Sequence, residues 1–135
     1  DLEDEIEGME TRLKHLEEDN KRQVQAVATE KAKIQKAEER IEEYKEQLNN
    51  VKNNREYDNL SKEIEFQGLE IELSQKRIAE GTTEIQHRKE RIATLKETIS
   101  ERRVDLEAKQ EELARIKGET KQEEEALRAE AIRLE

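Results

Sequence analysis

The sequence predicts an all-α fold: a long antiparallel two-helix coiled-coil hairpin whose second helix is longer than the first. Of its 135 residues, 46% are charged and 31% are hydrophobic, and none is proline. Globular domains usually have about 45–50% apolar residues. Regular spacing of the few apolar residues therefore indicates a narrow seam between two helices instead of a wide core.

The first heptad register runs from Leu2 to Val51 without interruption. We take Ile6 as position a, and the apolar residues then follow in alternating steps of three and four. Its middle, from Asn20 to Glu30, is the polar and weaker part. The a series is Ile6, Leu13, Asn20, Val27, Ile34, Ile41 and Leu48, and the d series is Leu2, Met9, Leu16, Gln23, Glu30, Ala37, Tyr44 and Val51.

A second register starts at Tyr57 and places six isoleucines at seven-residue spacing. Its d positions are less apolar than its a positions. The a series is Tyr57, Ile64, Ile71, Ile78, Ile85, Ile92, Ile99, Leu106, Leu113, Thr120, Leu127 and Leu134, and the d series is Leu60, Gln67, Ser74, Gly81, Arg88, Leu95, Arg102, Lys109, Ile116, Glu123 and Glu130.

The two registers meet at a cluster of asparagines, which holds five of the six in the chain, between residues 49 and 59. Asparagine is a poor helix-interior residue and suits helix ends. Antiparallel pairing of residues whose numbers add to 108 matches a positions with d positions along the whole first helix. We therefore predict helix 1 at about 1–51, a turn at 52–56 and helix 2 at about 57–135.

In this arrangement Asn53 is expected to end helix 1 in the left-handed conformation, and Asn54 to cap helix 2. Val51 and Tyr57 form the closing layer. A rival turn at Gly81-Thr82-Thr83 would interrupt the isoleucine series, and close helix packing explains a glycine at position d equally well. The layers that contain Asn20 and Gln23 are expected to pack loosely.

Residues 107–135 extend beyond the start of helix 1 and have no predicted partner in the chain. Their apolar a and d residues require either an N-terminal segment that precedes Asp1 or a second molecule, so a homodimer through 107–135 is one expectation. The sequence begins without methionine inside an acidic helical pattern, which is typical of a segment from a longer protein.

Composition and spacing provide no support for an enzyme, because carboxylates on a two-helix surface are solvated and no enclosed site is predicted. His15 and His87 occupy outward positions in different layers, so no metal ligand or cofactor site is predicted in this segment. The net charge of −10 disfavours nucleic acid, despite the basic groups at 87–91 and 102–103. No apolar run is long enough to span a membrane.

An apolar stripe on the second helix is the main candidate for function. Phe66, Leu69 and Leu73 occupy c, f and c positions, which face away from the seam. Such a stripe can dock a protein partner, and the neighbouring Arg55 and Tyr57 are included in the candidate surface. The alternatives are packing between copies or a local shift of the seam onto this face.

The stretch Asn53-Asn54-Arg55-Glu56-Tyr57-Asp58-Asn59-Leu60-Ser61-Lys62-Glu63-Ile64-Glu65 resembles a bacterial family of coiled-coil hairpin proteins that end in a four-cysteine zinc ribbon. The acidic start at residues 1–7 is similar to the first helix of that family. The resemblance covers most of the chain, but only the stretch at 53–65 is specific. The chain has no cysteine, so the ribbon and its zinc are expected only after residue 135.

Members of this family are cytoplasmic adaptor proteins, some linked to the sigma factor sigma-54 and some to flagellar or type III secretion. The resemblance therefore implies a non-enzymatic scaffold or adaptor that binds protein partners. Two alternatives remain: a purely structural spacer arm of a larger assembly, and a nucleic-acid-binding protein that acts through the zinc ribbon.

Overall fold

Two α-helices account for nearly all of the structure. The computed structural model describes residues 1–134, in which α1 spans Leu2–Leu48 and α2 spans Asn54–Leu134, with no β-strand in that range. The predicted all-α hairpin, with its longer second helix, is confirmed. At the start of α1, the Asp4 amide donates to Asp1 Oδ1 at 2.9 Å, and acidic residues fill the first turn, as the helix dipole favours.

The linker lies three residues earlier than we predicted: it comprises residues 49–53 instead of 52–56. The last turn of α1 tightens, because the amides of Asn49 and Asn50 donate to carbonyls three residues back, at 3.1 and 3.0 Å. These bonds satisfy carbonyl groups that an α-helix leaves unpaired at its C-terminus. The asparagines therefore end α1 at Leu48, before Val51 can join the helix.

Asn53 caps α2, whereas we predicted that it would end α1 and that Asn54 would be the cap. The Glu56 amide donates to Asn53 Oδ1 at 2.9 Å, and the Tyr57 amide donates to the Asn53 carbonyl at 3.2 Å. No residue among 1–134 has a positive φ, so the predicted left-handed helix end is also wrong. The Asn53 side chain instead acts as an N-cap acceptor, which it does in ordinary backbone geometry.

The burial pattern of α1 matches the predicted heptads. All seven a and all seven d residues from Leu2 to Leu48 are buried or half-buried, and every other residue of α1 is exposed. In α2 every a and d residue from Leu60 to Ile99 is likewise covered. The seam is thus formed by the side chains that the sequence pattern assigns to it.

Tyr57 departs from the pattern, since it is 53% exposed and does not form the predicted closing layer with Val51. The reason is the early end of α1, which leaves no helical turn opposite Tyr57. The last layer with both members covered is that of Leu48 and Leu60.

The contacts divide the chain into two compact units, which we describe separately. The linker unit comprises Lys14–Ile92. In it, α2 passes through Gly81 without a turn, so the rival reversal is excluded. A Cβ at Gly81 would meet Val27 Cγ2 at 2.7 Å and Gln23 Nε2 at 3.1 Å. The glycine therefore serves close helix packing, in the layer that the pairing rule predicts.

The terminal unit comprises Asp1–Leu13 and the described part of Ala93–Glu135. Arg103 pairs with Glu10, and Arg102 Nη1 lies 3.7 Å from Glu5 Oε2. Contact between the helices continues as far as Gln110, which donates to Glu3 Oε1 at 3.3 Å. From residue 107 to residue 134 every side chain is exposed.

The exposed residues of this C-terminal extension include Leu113 at 55%, Ile116 at 48% and Leu127 at 65%. They keep the heptad spacing but have no opposing helix in the described structure, as the sequence predicted. Within residues 1–134, neither helix contains a stretch apolar enough to cross a membrane.

Candidate protein-interaction surface

Phe66, Leu69 and Leu73 form one outward stripe on α2, as their spacing predicted. Their exposed fractions are 54%, 57% and 41%. The seam in the same turns passes through Gln67 and Ser74, which are only 6% and 4% exposed. The seam therefore does not shift onto the stripe, and that alternative is wrong for the described chain. Three large apolar side chains are thus exposed to solvent on adjacent turns of α2.

Arg55 and Tyr57 are also exposed, but they lie apart from the stripe. Tyr57 begins the seam series, whereas Arg55 is on the outward face, 11 residues before Phe66. At about 1.5 Å per residue, that separation is roughly 16 Å along the helix. The structure thus brings together the three apolar residues and leaves Arg55 and Tyr57 as separate features near the linker.

A polar cluster inside the linker unit was not singled out in the sequence. Glu30 occupies a d position, and its side chain is only 13% exposed. Its Oε1 lies 3.2 Å from Lys33 Nζ and 3.5 Å from Arg77 Nη1. Its Oε2 is buried and has no hydrogen-bond partner. The sequence does contain a signal for this cluster: an acidic residue at a d position requires a cation from the facing helix.

The pKa of the Glu30 carboxyl is held below its ordinary value. The Ser74 hydroxyl is the main cause, and Lys33 and Arg77 act in the same direction, while burial opposes them. Because Oε2 accepts no hydrogen bond, we interpret the Ser74 hydroxyl as a nearby dipole that favours the charged form. The cluster keeps Glu30 ionised within the seam and suits a structural role.

Arg88 of the first basic group and both arginines of the second contact α1. Arg88 lies in the seam, where its Nη1 donates to Asn20 Oδ1 at 3.3 Å. This bond fills the Asn20 layer that we expected to pack loosely, and Asn20 is 9% exposed. Arg102 and Arg103 pair with carboxylates of α1. His15 and His87 are exposed, as their positions predicted.

The grooves between the helices are open to solvent. One groove in the linker unit is lined by Gln23, Val27, Glu30, Arg77 and Gly81, among others. Among residues 1–134, no three histidine or carboxylate side chains lie close enough together to hold a metal ion.

Comparison with known proteins identifies no relative: no family model, no curated protein and no solved structure matches the chain. The resemblance of residues 53–65 to the zinc-ribbon hairpin family therefore stays a prediction.

Proposed function

We propose that the chain is a non-enzymatic scaffold or adaptor that binds a protein partner through the stripe of Phe66, Leu69 and Leu73. The observation that carries the proposal is the exposure of these three side chains on one face of a long helix, directly beside a fully formed seam. Large apolar side chains on adjacent turns are the usual anchors of helix-mediated recognition.

The helical frame supports this role. Asn53 caps α2, and the paired helices hold the stripe in one orientation, so little conformational entropy is lost when a partner binds. The resemblance at residues 53–65 supports an adaptor of the bacterial cytoplasm, with a zinc ribbon after residue 135 that places a second binding function at a distance. Sigma-54 and the flagellar or type III secretion apparatus are the partner systems that the resemblance implies.

A pair of matched variants tests the proposal. Phe66→Glu with Leu73→Glu places two charges in the stripe, and Leu113→Glu with Leu127→Glu makes the same change in the C-terminal extension. Bacterial proteins that the wild-type chain captures should be lost by the stripe variant and kept by the extension variant. Circular dichroism should show equal helicity for all three chains, because all four positions are exposed.

Retention of every captured protein by a helical stripe variant would contradict the proposal. Crosslinking with mass spectrometry then identifies which residues of the chain contact each captured protein, and contacts outside residues 49–73 would point to another surface.

The long, matched seam also favours a second function, that of a structural spacer. The a and d residues of α1 are covered along its whole length, which is what a spacer requires. Deleting residues 36–42 together with residues 66–72 removes one matched heptad from each helix and takes Phe66 and Leu69 with it. A spacer would lose reach and keep its affinity for a partner, whereas a chain that docks its partner on the stripe would lose that affinity.

A further inference from the structure

The stripe of Phe66, Leu69 and Leu73 has an acidic edge on each side. Counting about 100° per residue around α2, the c and f positions of the stripe lie between the b and g positions. The b positions carry Glu65 and Glu72, and the g positions carry Glu63 and Glu70. Two carboxylates therefore border the apolar residues on either side of the helix.

These four carboxylates are available to a partner. All four are exposed, and within residues 1–134 none of them takes part in an ion pair or side-chain hydrogen bond. The nearest cations on the same face are Lys62 and Lys76, which occupy f positions at the two ends of the stripe. Between Lys62 and Lys76, every charged residue of α2 is thus negative, and the next cation on the g edge, Arg77, is paired with Glu30 of α1.

This charge pattern favours some binding partners of the stripe over others. A second copy of the chain, docked face to face, would bring eight carboxylates together around six apolar side chains, and like charges at that range repel. Anionic polymers and anionic membranes meet the same repulsion. A partner with an apolar ridge and a cationic surface would instead be attracted by the glutamates along both edges of the stripe.

We propose that the stripe docks an amphipathic helix of a protein partner whose apolar ridge is flanked by lysine or arginine. The apolar residues of that helix, at i, i+3 or i+4 and i+7, match the length of the stripe, and its basic flanks face the two pairs of glutamates. The inference rests on the function proposed above and adds the chemical class of the partner.

Three synthetic helical peptides with the same leucine ridge serve as probes, and their flanks are lysine, glutamine or glutamate. Titration into the full chain, followed by fluorescence anisotropy, measures each affinity. We expect the lysine-flanked peptide to bind about tenfold more tightly than the glutamate-flanked one, from several modest surface attractions. The difference should shrink as salt rises from about 0.01 M to about 0.15 M.

Two charge variants with equal net charge locate the effect. The first replaces the four stripe glutamates with glutamine and should abolish most of the difference between the peptides. The control makes the same replacement at four glutamates of the C-terminal extension and should leave it unchanged, so it excludes a general effect of net charge. The control positions are Glu111, Glu112, Glu119 and Glu124.

The apolar contact is tested separately with Leu69→Glu, for which Leu127→Glu is the control. Loss of binding in the first variant alone supports docking on the stripe. If all three peptides bind equally and depend on Leu69, the basic-partner inference is overturned while the docking function stands. If no peptide binds below about 1 mM, or Leu69→Glu has no effect, both are overturned.

Discussion

Replacing Gly81 with alanine tests a close contact between the two helices. A Cβ at this position would lie 2.7 Å from Val27 Cγ2, whereas carbon atoms pack best at about 3.5–4.0 Å. The Val27 side chain has little freedom to move, because it is β-branched and only 8% exposed. The new methyl group therefore has to separate the helices or displace their neighbours.

The magnitude follows from two opposing effects. Alanine is better than glycine in a helix interior by about 1 kcal/mol. Overpacking of a filled site costs about 1–3 kcal/mol. The free energy of unfolding of Gly81→Ala should therefore stay level or fall by up to about 2 kcal/mol.

Gly68 provides the matched control in the same unit. Nothing lies within 4 Å of a Cβ added there, so Gly68→Ala should raise the free energy of unfolding by about 0.5–1 kcal/mol. Urea unfolding followed by circular dichroism measures both variants. The gap between them, about 1–3 kcal/mol, is the cost of the clash alone.

Val27→Ala removes the methyl group that the new Cβ would meet. The double variant of Val27→Ala and Gly81→Ala should therefore be more stable than the sum of the two single changes predicts. The reasoning is refuted if Gly81→Ala stabilises the chain as much as Gly68→Ala does, because the helices would then not be in contact at this layer.

Three further predictions concern the linker, the polar cluster and the C-terminal extension. Asn53→Ala should cost about 1 kcal/mol of unfolding free energy by removing the cap of α2; Asn54→Ala, one residue later, should change it little, and equal losses would contradict the cap assignment. Since the folded pKa of Glu30 is lowered, its charge contributes stability above its unfolded pKa near 4.5, and that contribution is lost as pH falls through the lower folded pKa. The stability of the wild-type chain relative to Glu30→Gln should thus decline as the pH of urea titrations falls; a difference in stability that does not change with pH would contradict the ionised cluster. Self-association through residues 107–134 predicts a dimer in analytical ultracentrifugation that a chain ending at residue 106 loses, and a monomeric full chain would exclude it.

Most of the seam could be predicted because heptad spacing leaves a two-helix chain few ways to bury its apolar side chains. Every a and d residue of α1 is covered, and Val27 meets Gly81 as the pairing rule requires. The heptad pattern predicts the linker three residues late, because Val51 continues the d series although it lies outside α1. Backbone bonds made by Asn49 and Asn50 end α1 before Val51.

The polar contacts were harder to predict, because a linear pattern does not show which way a long side chain turns. Arg88 sits among basic residues in the sequence, yet it donates to Asn20 across the seam. In the sequence Glu30 is only a polar residue at a d position, and its partners Arg77 and Ser74 are 44 or more positions away. The stripe was predictable because its three large apolar residues break the polar pattern of the outward face.

Disulfide trapping tests the pairing on which the linker and the stripe both depend. The chain has no cysteine, so a pair introduced as Val27→Cys and Gly81→Cys reports a single contact, in the layer where a Cβ at residue 81 would lie 2.7 Å from Val27 Cγ2. Val27→Cys with Ser74→Cys is the control, displaced by one heptad. The antiparallel hairpin predicts rapid oxidation of the first pair within one chain and little in the control. Preferential oxidation of the control pair, or crosslinking only between chains, would contradict it.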